Sequence, residues 1–170
     1  MNYQKFENFI LQLPRSCATK KHSEPFGKLN LEIVKEALSF LNVDLSELKI
    51  IHVAGTNGKG SVCTKIAYAL AKSGHLVGLF TSPHLISVRE RISLLGSFNL
   101  DQQTAIPEKE FQRCGERVLS LFAVEKISCS FFDFLTILAF LWFYEKKVNL
   151  VVSEVGIGGR YDSTNFYNLS

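Results

Sequence analysis

The chain has 170 residues, of which 46% are hydrophobic and 21% are charged, and its formal net charge is +3. This length allows one domain that buries about 70% of the surface of the unfolded chain, and the composition excludes an intrinsically disordered protein. Because 19 basic and 16 acidic residues are spread along the sequence, the charge balance predicts neither a nucleic-acid partner nor a membrane-surface partner.

Two amphipathic helices are predicted before the first strand, over residues 2–13 and 29–41. Pro14 ends the first helix, and both helices are interpreted as packing elements without site chemistry. The N-terminus lacks a basic start followed by an apolar run and a small-residue cleavage site, so no signal peptide is predicted.

A βαβ unit is predicted next. Residues 49–54 form a short apolar strand, and the glycine-rich sequence GTNGKGS follows at once. A helix is predicted from Val62 to Ser73, ended by Gly74, and a second apolar strand covers residues 76–80. The two strands of such a unit are expected to be parallel.

The second half of the chain continues the α/β pattern. Residues 91–100 predict a small hairpin or an irregular excursion, and a helix is predicted from Pro107 to about Phe122. The segment from Phe131 to Tyr144 is too short to span a bilayer, which takes about 20 residues, and predicts a buried helix. Residues 148–155 predict a further strand, followed by GIGGRYDSTN. The predicted class is α/β with a mostly parallel sheet and flanking helices.

The glycine-rich turn between the first strand and its helix is predicted to bind phosphate. Glycines let backbone N–H groups approach phosphate oxygens, the helix adds its positive N-terminal end, and lysine adds a cation. The loop differs from a strict Walker A motif, because Val53 stands where that motif has its first glycine and Gly60 where it has a hydroxyl. A plain glycine turn is the alternative. The predicted ATP-binding residues are Gly55, Thr56, Asn57, Gly58, Lys59, Gly60 and Ser61.

Two residues at other strand ends are candidate ligands for Mg²⁺. Ser82 follows the second predicted strand, and Glu154 closes the strand over residues 148–155. In a parallel α/β sheet both positions share the carboxyl edge with the phosphate loop, and Mg²⁺ takes oxygen ligands. A solvated strand end is the alternative interpretation of Glu154.

Three motifs in this order and spacing resemble the folylpolyglutamate synthase and dihydrofolate synthase family of the Mur ligase superfamily. They are GTNGKGS, TSPHL with Glu90-Arg91-Ile92 close behind, and EVGIGGRYDSTN. The resemblance extends from about Gly27 to Asn165. It implies a P-loop NTPase-like fold, that of the central ATPase domain of Mur ligases.

The resemblance also implies an activity, which is the ATP-dependent ligation of L-glutamate to dihydropteroate or a folate through an acyl phosphate. ATP and Mg²⁺ are the implied cofactors, Lys59 and Glu154 the implied catalytic residues, and Ser82 and Glu154 the implied metal ligands. Two roles stay open for His84, which are contact with the substrate and support of the loop structure. The residues implied on the substrate side are Ser82, Pro83, His84, Arg160, Asp162 and Asn165.

The chain departs from the family pattern at two positions and in its length. Asp133 stands where the family usually has glutamate, and Ser163 where it usually has alanine. Family members are much longer, so residues 1–170 are expected to form the N-terminal portion of the ATP-binding domain, with an incomplete fold and no C-terminal ligase domain. The strand that ends near Val155 is then expected to have an unpaired neighbour.

Two further hypotheses belong to other functional classes. One is a non-catalytic, truncated remnant that keeps a nucleotide-binding loop, and the other is a minimal P-loop kinase or NTPase. The sequence does not separate dihydrofolate synthase from folylpolyglutamate synthase activity. A monomer is expected for the full-length protein, and a cytoplasmic location is predicted together with four reduced thiols, since no two cysteines form a C-x-x-C pair. The cysteines are Cys17, Cys63, Cys114 and Cys129.

Overall fold

The computed structural model describes residues 2–14, 28–96, 99–125, 127, 129–160 and 162–168. The α-helices are α1 (Tyr3–Leu11), α2 (Lys28–Phe40), α3 (Lys59–Lys72), α4 (Glu108–Glu125) and α5 (Phe131–Glu145). The strands are β1 (Lys49–Val53), β2 (Val77–Phe80), β3 (Ile92–Gly96), β4 (Asn99–Ala105) and β5 (Leu150–Glu154). Two 3₁₀ helices are η1 (Val88–Arg91) and η2 (Ser163–Asn168).

The five described strands form one mixed sheet in the order β1-β5-β2-β3-β4. Strands β1, β5 and β2 are parallel, as predicted. Strands β3 and β4 are antiparallel to their neighbours, so the expectation of a mostly parallel sheet is met only in part. The reason is the short connections, because a parallel pair needs a crossover of a dozen or more residues. Residues 81–91 between β2 and β3 contain η1 as their one regular element. Of the two alternatives for residues 91–100, a small hairpin and an irregular excursion, the structure has a hairpin, formed by β3 and β4.

Strand β5 lies in the middle of the sheet. It pairs with β1 on one side, where Val53 is opposite Glu154, and with β2 on the other. The strand ending near Val155 is therefore itself paired on both sides, and the open edge lies on its neighbour β1. The segment between β2 and β5 crosses back and inserts β5 between two strands that come earlier in the chain. Among the described strands, β1 and β4 form the edges.

The sheet is covered on both faces by helices. Helix α3 packs on one face through Cys63, Ala67 and Ala71, together with Val152 of β5. The other face carries the larger core, to which α1, α2, α4 and α5 contribute. The two faces follow from alternation along β5, because successive residues of a strand point to opposite sides.

Helix α5 confirms the buried helix predicted from its apolar sequence. Its residues from Asp133 to Phe143 are all buried. Ser130 caps its N-terminus, since the Ser130 hydroxyl accepts from the Asp133 N–H, which fixes where the helix begins. No helix of the described residues is both long enough and apolar enough to span a bilayer.

Three of the four cysteines lie in the described part of the chain, and each of them is buried: Cys63, Cys114 and Cys129. Burial raises the pKa of the Cys63 and Cys114 thiols to about 12, so both stay protonated. Cys17 lies outside the described residues.

Candidate functional site

The glycine-rich loop leaves β1 after Val53 and enters α3 at Lys59, three residues earlier than the predicted helix start. Residues 55–58 are exposed. Gly58 has a φ of 74°, a left-handed conformation that favours glycine, and no side chain caps the helix. The first N–H groups of α3 therefore have no capping side chain and are available to an anion.

Glu154 is the centre of the arrangement at this edge of the sheet. It ends β5 and is only 4% exposed. Its Oε2 accepts from the Ser82 N–H at 2.8 Å, and its Oε1 lies 3.9 Å from the Lys59 Nζ. The structure thus brings together Lys59, Ser82 and Glu154, which lie far apart in sequence. The carboxylate is buried and paired, so a merely solvated strand end does not describe it.

Gly60 explains the missing hydroxyl of the phosphate loop. A Cβ built on Gly60 lies 3.3 Å from the Glu154 Oε2, tighter than most real Cβ contacts. A serine or threonine at this position would press on the carboxylate. The departure from the Walker A pattern is therefore linked to a glutamate at the end of β5.

The loop after β2 is shaped by Glu90. The Glu90 carboxylate accepts from the backbone N–H groups of Leu85 at 2.8 Å, Ile86 at 3.1 Å and Ser87 at 2.8 Å. These bonds lower the pKa of Glu90. Leu85 and Ile86 are left fully exposed at the tip, and the Ser82-Pro83 peptide bond in the same loop is cis.

His84 is held within that loop by Arg91. The Arg91 Nε donates to the His84 Nδ1 at 2.8 Å, and the guanidinium lies 5.5 Å from the Phe131 ring centroid. Burial, and next the charge of Arg91, lowers the pKa of His84, so a neutral ring is favoured. Because its Nδ1 accepts, the neutral ring carries its proton on Nε2.

The loop after β5 contains the other predicted substrate residues. Asp162 is buried, and its carboxylate accepts from the N–H groups of Ile157 at 2.7 Å and Thr164 at 3.1 Å and from the Thr164 hydroxyl. The Asn165 side chain donates to the Arg160 carbonyl at 2.9 Å, whereas the Arg160 side chain is exposed. Asp162 and Asn165 therefore shape this loop.

The sequence analysis did not predict several contacts that hold the site. His52 on β1 places its Nε2 2.7 Å from the Thr164 hydroxyl, and Asp133 bonds both Ser130 and Ser163. A sequence signal existed for Ser130 and Asp133, because a serine followed three residues later by an acid resembles a capping box. No local signal pointed to the long-range bond of His52.

The donor set fits Mg²⁺ better than a transition metal. No cluster of three or more His, Cys, Asp or Glu that could hold a metal occurs among the described residues. Mg²⁺ needs no such cluster, since it is usually held by one or two carboxylates with substrate phosphates and waters. Glu154 and the Ser82 hydroxyl offer oxygen ligands beside the phosphate loop.

Relatives of known name match most of the chain. A folylpolyglutamate synthase of Arabidopsis thaliana is 44% identical over 140 residues, which are 79% of this chain and 21% of the relative. The mitochondrial folylpolyglutamate synthase of Homo sapiens is 42% identical over 86% of this chain and 25% of its own length. The dihydrofolate synthetase of Saccharomyces cerevisiae is 35% identical over 81% of this chain and 31% of its own length. Over most of its own length, the chain is thus similar to one part of the folylpolyglutamate and dihydrofolate synthases.

Solved structures of this family share the fold. A folylpolyglutamate synthase of Thermotoga maritima matches 96% of the chain with a TM-score of 0.76 and 34% identity. That of Mycobacterium tuberculosis complexed with ADP matches 96% with a TM-score of 0.77 and 28% identity. A folylpolyglutamate synthase complex with AMPPCP and folate matches 97% with a TM-score of 0.72 and 33% identity. These matches cover 35%, 34% and 38% of the respective structures.

The match to the family is partial in length. The chain spans about a fifth to a third of the curated relatives named above, from 21% to 31% of their length. No protein-family model matches the chain.

Proposed function

We propose that this chain binds the phosphates of ATP and part of the carboxylate substrate in a ligase that joins L-glutamate to dihydropteroate or a folate. The observation that carries the proposal is the meeting of Lys59, Ser82 and Glu154 beside the glycine-rich loop. Support comes from the family, whose solved members include complexes with ADP and with AMPPCP and folate.

The proposed chemistry has two steps. A substrate carboxylate oxygen attacks the γ-phosphorus of ATP, which forms an acyl phosphate and releases ADP. The amine of L-glutamate then attacks the acyl carbon, phosphate leaves, and an amide bond forms. Phosphoryl transfer depends mostly on positioning and charge neutralisation. Positioning and charge neutralisation at the β- and γ-phosphates are supplied by the first N–H groups of α3, with Ser61 in its first turn, and by the Lys59 ammonium.

Glu154 and Ser82 are the proposed ligands of Mg²⁺. When bound, Mg²⁺ neutralises charge on the β- and γ-phosphates. Glu154 has a second role that does not need the metal, since it holds the Ser82 N–H at 2.8 Å and so fixes the loop after β2 against the phosphate loop.

The proposed substrate side lies between the loops that follow β2 and β5. His84 offers an Nε2–H that is set by the Arg91 bond to Nδ1, and Pro83 and the exposed Arg160 complete the border. A guanidinium suits an anionic group of the substrate. Asp162 and Asn165 keep the loop in shape for it. A cytoplasmic location and a monomeric state stay predictions, and the curated relatives include mitochondrial forms.

The test follows glutamate transfer and ADP release with dihydropteroate or folate, L-glutamate, ATP and Mg²⁺. Lys59→Ala is expected to lower the rate by about 100-fold, the size of effect seen when one donor to a transition-state charge is removed. Lys65→Ala is the matched control, because Lys65 is exposed on the same helix and its loss should change nothing.

The outcomes separate the competing functions. ATP hydrolysis that does not need the other substrates would indicate the minimal NTPase. ATP binding without any product would indicate a non-catalytic chain. Equal rates for wild type and Lys59→Ala would contradict the proposal.

A further inference from the structure

A buried carboxylate links α5 to the loop after β5. Asp133 is fully buried, and its Oδ2 accepts from the Ser130 N–H at 2.9 Å and the Ser130 hydroxyl at 2.7 Å. Its Oδ1 accepts from the Ser163 hydroxyl. Ser130 and Ser163 are buried as well. Each oxygen of the carboxylate therefore has a donor from within the protein, as a buried charge requires.

Asp133 and Ser163 are thus in direct contact, although 30 positions separate them in sequence. The hydroxyl of Ser163 donates to a carboxylate oxygen of Asp133, whose side chain is one methylene shorter than that of glutamate.

The contact couples the two residues, because a longer side chain at 133 or a missing hydroxyl at 163 disturbs the contact when the other residue is unchanged. A glutamate at 133 would advance the carboxylate by about one bond length, roughly 1.5 Å, into the position of the Ser163 hydroxyl. An alanine at 163 would leave the Asp133 Oδ1 buried without its donor. With glutamate and alanine together, the longer side chain has room, and a glutamate at this helical position also makes the favoured capping box with Ser130.

The pair acts on a loop that is braced a second time. Asp162, the neighbour of Ser163, binds the Ile157 N–H at 2.7 Å and the Thr164 hydroxyl, and that hydroxyl lies 2.7 Å from the His52 Nε2. Asp133 therefore holds the loop from α5, and His52 holds it from β1. Residues 156–160 lie between Glu154 and these two attachment points.

We propose that Asp133 and Ser163 form one coupled positioning pair, which clamps the loop after β5 to the first turn of α5 and sets the position of residues 156–160. The effect of the pair on the binding of dihydropteroate or a folate rests on the proposed function. The coupling itself does not, since it concerns only the folded chain.

A double-mutant cycle on the purified chain tests the coupling. Ser163→Ala and Asp133→Glu are each expected to lower the folding equilibrium constant about tenfold. If the two sites were independent, the folding equilibrium constant of the double variant would be about 100-fold lower than that of wild type. The coupled pair predicts instead a constant within about threefold of wild type. Ser153→Ala is the control, because this buried hydroxyl on β5 has no partner in the described residues and its loss should not lower stability.

A failure to fold is also informative. If Asp133→Glu gives no folded protein, recovery of folded protein on adding Ser163→Ala supports the pair, and no recovery overturns it. A folding equilibrium constant about 100-fold below wild type in the double variant would overturn the coupling as well.

Amide hydrogen exchange tests the clamp on the loop. In Ser163→Ala the Ile157 amide is expected to exchange at least tenfold faster, while the amides of α4 keep their wild-type rates, and the double variant restores protection. Unchanged exchange at Ile157 would overturn the positioning role.

Calorimetry with dihydropteroate in the presence of ATP and Mg²⁺ gives the functional readout. Weaker dihydropteroate binding in Ser163→Ala, with ATP affinity unchanged and rescue in the double variant, is expected. Wild-type protein that binds ATP and no dihydropteroate would contradict the proposed substrate. The cycle and the exchange rates would still decide the pair.

Discussion

Glu154→Gln removes one buried charge and keeps the shape of the side chain. The amide oxygen of glutamine can still accept from the Ser82 N–H, now 2.8 Å from the carboxylate, so the loop after β2 should stay in place. The attraction between Lys59 and Glu154 at 3.9 Å is about 4 kcal/mol at an effective dielectric constant of 20. Because burying the carboxylate costs a comparable amount, the free energy of unfolding is expected to change by no more than about 1 kcal/mol.

Glu154→Gln should change the affinity for ATP in opposite directions in the presence and in the absence of Mg²⁺. Without the metal, the carboxylate repels the phosphates and neutralises Lys59. If ATP gains as binding free energy a third of the roughly 4 kcal/mol attraction that Lys59 loses with Glu154, Mg²⁺-free ATP binds about tenfold tighter to Glu154→Gln than to wild type. With Mg²⁺ present, the variant lacks a charged ligand, so the gain in affinity that the metal supplies should fall by about tenfold or more.

Isothermal titration calorimetry with ATP in EDTA and with ATP in excess Mg²⁺ measures both affinities. Glu47→Gln serves as the control, because Glu47 is exposed and precedes β1, whereas the phosphate loop follows the other end of that strand. Weaker binding of Mg²⁺-free ATP to Glu154→Gln, or an unchanged metal dependence, would refute the role assigned to this carboxylate.

Three further predictions concern stability and the loop. Gly60→Ala should weaken the binding of Mg²⁺ and ATP, because the new Cβ lies 3.3 Å from the Glu154 Oε2 and presses on the carboxylate. Calorimetry measures the affinity, and an unchanged affinity would contradict the crowding. Ser153→Ala should stabilise the fold by about 1 kcal/mol, or 2–4 °C in Tm, because it removes a buried hydroxyl without a partner in the described residues; a lower Tm would contradict this. Burial lowers the pKa of His52 and His84 from the ordinary 6.5, so in this range the unfolded chain binds more protons than the folded one. The stability that these rings contribute is full above about pH 6.5 and is lost as the pH falls toward their folded pKa, by at most about 1.4 kcal/mol per ring and pH unit. Urea unfolding between pH 5 and 7.5 should therefore show a smaller loss in His52→Gln and in His84→Gln than in wild type, and equal slopes in all three proteins would contradict the assignment.

The βαβ unit around the phosphate loop was predictable because its signals are local. A short apolar run, a glycine turn and a helix of alternating burial follow one another within residues 49–80, and the structure has β1, α3 and β2 there. The placement of Ser82 and Glu154 at the edge beside Lys59 was also predictable, because parallel strands end at the same side of a sheet.

The position of β5 was not predictable from local pattern. Its apolar sequence suits any strand buried on both faces, whereas its place between β1 and β2 depends on contacts between residues far apart in the chain. The antiparallel β3 and β4 depend similarly on the short connection after β2, whose turn is set by the bonds to Glu90.

The contact between Asp133 and Ser163 shows the limit of motif comparison most clearly. Each departure from the family pattern looked like an independent change in fine geometry, because sequence gives no distance between positions 133 and 163. In the structure one hydroxyl donates to the other side chain, so the two departures form one feature.

The most direct test of the central claim is calorimetric titration of the purified chain with ATP and Mg²⁺, alongside Lys59→Ala. Saturable binding to wild type and its loss in the variant are expected, because Lys59 and the first turn of α3 form the proposed phosphate site. No binding to a soluble, folded wild-type chain, or equal binding to both proteins, would contradict it.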